Sequence, residues 1–461
     1  MDLEKRARRQ GLRVIVSETI MVLAVAAMVI VLALVVSGYW INANFEVERQ
    51  GMLQVYSVPT GASVEVDGDA PWFQRTNTSK ILTSGEHKIT LTKDGYDSWS
   101  KTINISEGLL YRLHYPRLFL RERDREEIYD ATLSTSATVS PNRRLILLLN
   151  NTTTWTLLNI DSDNPKPTTI NIANLFSSTS LADGATNGLF VGDIISAEWD
   201  QANEHILFKV KNNTSTEWVL LDVKNPINSV NITREFAADF DNIKIFDNSA
   251  DNLLSLRNGN LHKINIPSRQ ISAILVEGVQ NYDFYESELV FSSEESISSL
   301  KLGDNTPVVL KKIESPARVL VSKFYETNYI FIVEGNTLSV YQEENLEEVL
   351  TATLRFIPDK IKVGYGGEFI VMNSDSNFST LDMESMTIHN WDTGSTNYGW
   401  IDNYMAYSVD NGVLSVYDFD GLNHRELANN VSSHFPVTIT SDKWLYYFSD
   451  GKLLREWLIA R

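Results

Sequence analysis

The sequence predicts an all-β protein: an N-terminal transmembrane helix, a small antiparallel β-sandwich, then a β-propeller of eight blades, with seven as the alternative count. Three observations carry this. An apolar run near the N-terminus has the length that crosses a bilayer; the next stretch alternates apolar and polar residues between turn signals; and a strand-turn-strand unit recurs through the rest of the chain. The expected divisions are a basic cytoplasmic tail over 1–13, the helix over 14–37, a polar stalk over 38–50, the sandwich over 51–116 and the propeller over 117–461.

The helix rests on Thr19 to Val36, a run without charge that Val14 to Val16 extends past Glu18. Lys5, Arg6, Arg8, Arg9 and Arg13 precede it and little positive charge follows, so the N-terminus is expected in the cytoplasm and the bulk of the chain outside a cell membrane crossed once. Tyr39 and Trp40 stand where interfacial aromatics belong. A cleaved signal peptide is the competing reading; the length of the run and the lack of a small-x-small site at Ser37-Gly38-Tyr39-Trp40 favour retention. With no cysteine, a lipoprotein anchor, disulfides, thiolate zinc sites and thiol catalysis are all excluded. The formal net charge of -19, with no Lys/Arg run beyond the first residues, excludes a phosphate-tracking surface and hence nucleic acid as partner.

In the sandwich, Leu53 and Val55, Val64 and Val66, Ile89 and Leu91, and Ile103 and Ile105 alternate with polar residues, the pattern of half-buried strands. Pro59-Thr60-Gly61, Asp67-Gly68, Ser84-Gly85 and Asp94-Gly95 supply turns between them. The tetrapeptide Pro59-Thr60-Gly61-Ala62, with Gly51, Val55, Ser57, Val64, Val66, Asp67 and Gly68 around it and Gly85, His87, Ile89, Lys93, Gly95 and Tyr96 beyond, resembles the PEGA domain family. The middle loop departs from the family at Asp69-Ala70-Pro71-Trp72. The resemblance implies an extracytoplasmic β-sandwich of microbial surface proteins that serves as spacer or adhesion module. His87 and Tyr96 read as packed strand and turn residues.

The propeller repeat is clearest in Trp155-Thr156-Leu157-Leu158-Asn159-Ile160 and Trp218-Val219-Leu220-Leu221-Asp222-Val223. Further copies begin at Leu261, Ile297, Leu338, Ser379, Leu414 and Leu453, each after an apolar strand and a polar turn. Ser177 to Asn187 reads as an inserted loop. A ring must close for its end blades to be stable, and Arg117-Leu118-Phe119-Leu120-Arg121 is the expected closing strand. Ser140-Pro141-Asn142-Arg143-Arg144 resembles the Ser-Pro-Asp-Gly turn of open-ended bacterial propellers.

Motifs for chemistry are absent. The seven histidines show no zinc-ligand spacing, and no nucleophile elbow or phosphate cradle occurs. Asp161-Ser162-Asp163-Asn164 opens like a calcium loop but has Lys166 where glycine belongs, so it reads as a turn. Val363-Gly364-Tyr365-Gly366-Gly367 reads as a blade connection. At the starts of the expected inner strands stand Trp199, Asp200, Tyr282, Asp283, Tyr325, Trp400 and Asp402, an acidic and aromatic set suited to stacking on sugars or docking a peptide at a propeller mouth, or equally to packing between blades. The expectation is a non-enzymatic protein without metal or cofactor, anchored in the membrane, that binds an envelope protein or polysaccharide. The alternatives are a glycan-active enzyme using Asp200, Asp283 and Asp402, and a structural subunit of an envelope assembly.

Overall fold

A computed structural model describes residues 19–29, 32, 39–41, 47–70, 74–176, 190, 192–212, 215–246, 250–304, 306–344 and 346–460. Two compact units divide the chain: residues to Glu122 together with the last three, and Arg123–Leu458.

In the first unit, residues 19–29 are helical with their large apolar side chains exposed. Among the described residues no helix is long and apolar enough to cross a membrane; residues 14–18, 30, 31 and 33–37 of the expected span lie outside the described residues. The sandwich pairs a sheet of Ser63–Val66, Gly85–Thr92 and Trp99–Ile105 with one of Tyr39–Ile41, Val47–Val55, Thr78–Thr83 and Leu110–Leu113. All eight alternating apolar residues named from the sequence are buried between the two sheets. A Cβ at position 51 would sit 2.5 Å from the Ser106 carbonyl oxygen, so only glycine fits there. Two expectations change. The sandwich is not wholly antiparallel, since Leu110–Leu113 runs parallel to Met52–Val55. Part of the expected stalk is strand: Val47–Val55 begins four residues before position 51, and its start pairs with Tyr39–Ile41.

Among the described residues the second unit is a propeller-like ring of eight four-stranded antiparallel sheets. In chain order they run from Ser134–Val139 to Pro167–Asn171 (sheet 1), Asp193–Trp199 to Val230–Asn231 (sheet 2), Asn242–Ile245 to Gln270–Ile271 (sheet 3), Asn281–Tyr285 to Val308–Lys312 (sheet 4), Ala317–Phe324 to Glu347–Thr353 (sheet 5), Lys360–Val363 to Thr387–Asp392 (sheet 6) and Tyr398–Trp400 to Arg425–Ala428 (sheet 7). Sheet 8 takes Thr438–Thr440, Trp444–Ser449 and Lys452–Trp457. The eight repeat copies are the third strands of the eight sheets. Second strands such as Leu145–Asn150 and Trp444–Ser449 are near-continuous apolar runs because neighbouring sheets cover both of their faces. Trp155 of sheet 1 meets Phe208 of sheet 2 at 5.2 Å between ring centres, and truncating so buried an indole costs about 3–5 kcal/mol.

The ring closes through Arg125–Asp130, which pairs antiparallel with Lys452–Glu456 as the fourth strand of sheet 8. Sheet 8 then packs on sheet 1 through Tyr446, Phe448, Ile146 and Leu148, and the Tyr446 hydroxyl donates to the Ile160 carbonyl at 2.8 Å. Closure by an N-terminal strand is thus as expected, but its location is corrected. Arg117–Arg121 belongs to the first unit, where the Leu118 amide donates to the Val58 carbonyl and Leu120 bridges Tyr96. Charge explains the choice of strand. Glu126 and Glu127 face Arg455 and Lys452, with Lys452 Nζ 2.6 Å from Glu127 and Arg455 paired to Glu126. Buried Arg455 also donates to the carbonyls of Ser162 and Asp163, so the calcium-like loop presents its oxygens to a guanidinium. Ser177 to Asn187 lies outside the described residues.

Candidate functional site

First strands adjoin one another around the ring. The Val319 and Val321 amides of sheet 5 donate to Asn281 Oδ1 and Asp283 Oδ2 of sheet 4, at 3.0 and 2.9 Å, and Trp199 Nε1 donates to Thr138 Oγ1 of sheet 1 at 3.0 Å. Three charges from consecutive first strands meet here: Glu198, Lys244 and Asp283. Lys244 Nζ lies 2.7 Å from Asp283 Oδ1 and over the Tyr282 ring. Glu198 keeps accessible surface yet is closely surrounded by protein, and this desolvation, with the Asp283 charge, raises its carboxyl above the usual range against the opposing pull of Lys244 and Lys209. The same desolvation, with Lys360 beside it, lowers the Lys362 ammonium on the first strand of sheet 6. Burial and then Asp283 and Glu198 hold the Tyr282 hydroxyl far above its ordinary range.

A second cluster forms where first strands turn into second strands. Arg143, in the turn of sheet 1, has φ +56°. Its Nε donates to the Ile439 carbonyl of sheet 8 at 2.9 Å, its Nη1 to Asn403 Oδ1 in the turn of sheet 7 at 2.6 Å, and its guanidinium lies 5.6 Å from the Tyr365 ring centre in the turn of sheet 6. The Asn142 amide donates to Asn203 Oδ1 in the turn of sheet 2. At 366, a Cβ would come within 3.1 Å of the Asn403 side chain, so glycine lets these turns approach. One side chain therefore ties together the turn ends of sheets 1, 6, 7 and 8. Beside this cluster, Tyr365 is 40% exposed, and Tyr325 in the turn of sheet 5 is 71% exposed at φ +51°.

The sequence-selected residues fall into different roles. Asp200 is buried and accepts from the Glu204 and His205 amides and from His205 Nδ1 at 2.8 Å. Asp402 is buried and accepts from the Tyr404 and Met405 amides. Both close the first turn of their sheets, as Ser140 does in sheet 1 by accepting from the Leu145 amide. Tyr282 is buried with its hydroxyl donating to the Leu254 carbonyl, and Trp400 stacks on Phe369. Only Asp283 joins the charged set, and Tyr325 the exposed one. Of the three carboxylates that the glycan-active alternative would use, Asp200 and Asp402 serve turns of their own sheets. Glu198, Lys244 and Arg143 were not selected from the sequence as site residues. Among the described residues no group of three or more His, Asp or Glu is placed to hold a metal.

In the first unit, His87 Nδ1 lies 2.6 Å from Asp67 Oδ2 while Nε2 faces the Thr83 carbonyl at 2.8 Å. This joins two hairpin turns whose residues, with Pro59–Ala62, carried the family resemblance. Residues 50–116 match the PEGA domain family. In this PEGA-like sandwich the Pro59–Ala62 loop is gripped from outside, with Lys93 Nζ donating to the Thr60 carbonyl and Arg75 Nη1 to that of Gly61. Tyr96 is buried, and its hydroxyl accepts from the Ala460 amide.

No curated protein matches the chain by sequence. Similar solved structures include Hsv2 of Kluyveromyces lactis, at 12% identity and TM-score 0.42 over 64% of this chain and 98% of that one. The computationally designed Ika8 protein is similar at 11% identity and TM-score 0.42, over 72% of this chain and 100% of its own. The dihydro-heme d1 dehydrogenase NirN is similar at 12% identity and TM-score 0.40, over 75% of this chain and 71% of its own. Likeness this distant carries neither ligand nor activity across.

Proposed function

We propose that the chain is a membrane-anchored, extracytoplasmic binding and scaffolding protein of the cell envelope, whose propeller presents its turn end to a polysaccharide or protein. The carrying observation is Tyr325. A bulky residue at φ +51° stands where glycine would be unstrained, and its ring is 71% exposed, with Tyr365 in the corresponding turn of the next sheet. Backbone strain held at an exposed aromatic marks a contact residue better than a packing one. Arg143 makes the platform rigid, and rigid aromatics bind with large area and little entropy loss. The anchor is supported by the apolar helical residues 19–29, all exposed, and by the basic residues that precede them in the sequence.

Glycan cleavage is favoured by one observation, the raised carboxyl of Glu198 near Asp283, which is the environment of a general acid. Against it, Asp283 is already held by Lys244 and the Val321 amide.

The test uses the full chain in lipid nanodiscs against isolated envelope polysaccharide and envelope protein. The double variant Tyr325→Ala/Tyr365→Ala is expected to weaken retention about tenfold, the loss typical of an exposed aromatic anchor. Unchanged retention with an intact fold removes the turn end as the contact surface.

A further inference from the structure

The Val47–Val55 sheet of the PEGA domain has two faces of different chemistry. Leu53, Val55, Leu82 and Leu113 point inward and are buried. On the outer face, Met52 stands directly opposite Ile81 on one neighbouring strand and Leu110 on the other. The three are 43%, 57% and 43% exposed, and Leu109, 62% exposed, continues the row, its carbonyl accepting the Met52 amide. The adjoining rows are polar: Gln54 lies between Ser79 and Arg112, and Gln50 opposite Thr83. A sheet with one buried face normally turns polar residues to water. An apolar row crossing three strands, about 10 Å wide at the usual strand spacing, is not needed to fold the domain.

The connectivity says what covers it. Tyr39–Ile41 pairs with Val47–Arg49, the start of the long strand that Leu110–Leu113 joins further on, at Met52–Val55. The chain leaving the apolar helical segment therefore enters this sheet three residues, or about 10 Å, from Met52. Exposed apolar patches rimmed by polar residues mark interaction surfaces, and a polar-rimmed apolar face beside a membrane anchor suits the headgroup–acyl boundary.

We propose that this outer face lies on the lipid surface, with Ile81, Met52, Leu110 and Leu109 set into it, so that the PEGA domain is a membrane-docked base rather than a free spacer. The inference rests on the anchor reading. It adds a second, independent lipid contact that fixes the orientation of the domain.

The chain has no cysteine, so single cysteines carrying an environment-sensitive fluorophore can be placed in the full protein without background. Met52→Cys, Ile81→Cys and Leu110→Cys are compared with Thr102→Cys on the exposed face of the other sheet and with Leu23→Cys in the apolar helix. The protein is reconstituted into phosphatidylcholine/phosphatidylglycerol vesicles with and without brominated acyl chains. The expected result is at least twofold quenching by brominated lipid at 52, 81, 110 and 23, and none at 102. Quenching at 23 alone overturns the proposal and leaves the anchor standing. Absence of quenching at 23 removes the anchor, and the proposal with it. Shielding at 52, 81 and 110 that depends on protein concentration and not on bromine overturns the proposal in favour of a second copy.

Discussion

Arg143 offers a clean separation of side-chain bonding from backbone strain. The residue occupies the left-handed region at φ +56°, which costs an L-residue with a side chain about 1–2 kcal/mol. In return the guanidinium makes two charge-assisted bonds, to Ile439 O at 2.9 Å and Asn403 Oδ1 at 2.6 Å. Such bonds contribute roughly 1.5–3 kcal/mol each when buried. The side chain is only half-buried and its partners share one network, so about 2–4 kcal/mol is the reasonable total. Arg143→Ala loses the bonds and keeps the strain; Arg143→Gly loses the bonds and relieves it. Urea unfolding followed by tryptophan fluorescence should therefore place Ala about 2–4 kcal/mol below wild type and Gly about 1 kcal/mol above Ala. Hydrogen exchange should quicken at the amides of Tyr404 and Met405, whose turn loses its tie. Arg143→Gly equal to or more stable than wild type would refute the reasoning, because the cross-ring bonds would then contribute no more than the strain that glycine relieves, about 1 kcal/mol.

Two further outcomes follow from the ring and its charges. Arg455→Met leaves the half-buried Glu126 and the carbonyls of Ser162 and Asp163 without their guanidinium and should cost about 1.5–3 kcal/mol, with exchange quickened across Arg125–Asp130; a loss under about 1 kcal/mol would show that the closing strand is held by its backbone ladder alone. For Glu198, a carboxyl raised above 4.5 in the folded state lends its full stability below the unfolded value, and this declines as pH rises through the folded one. Glu198→Gln should therefore be more stable than wild type at pH 7, by a margin that vanishes below about pH 4.5; a margin equal at both ends of a urea-midpoint series would contradict the desolvation argument.

Much of the fold was legible in local pattern. The period-two strands of the sandwich and the eight third strands of the ring repeat one chemistry, and repetition survives without long-range information. The closing strand was misplaced because Arg117–Arg121 is the more apolar segment, whereas Arg125–Asp130 is chosen by Glu126 and Glu127 meeting Arg455 and Lys452 over 300 residues away. The parallel pairing of Leu110–Leu113 likewise leaves no mark on a strand's own sequence. At the candidate site, Asp200 and Asp402 stand out as acids, but each caps the amides of its own turn: Asp200 reaches His205 five residues on, as Ser140 reaches Leu145, whereas Asp402 takes the Tyr404 and Met405 amides of a tighter turn. Glu198, Lys244 and Arg143 acquire meaning only from neighbours on other sheets.

The central claim is binding at the turn end without cleavage, and a mass balance on glycan tests it most directly. Full-length protein in nanodiscs is incubated with isolated envelope polysaccharide while retained polymer and new reducing ends are measured together, for wild type and Glu198→Gln. The account predicts saturable retention, equal in both, with no new reducing ends. Shortened chains that accumulate with wild type and disappear with Glu198→Gln would contradict it and establish Glu198 as the acid of a glycan-cleaving enzyme.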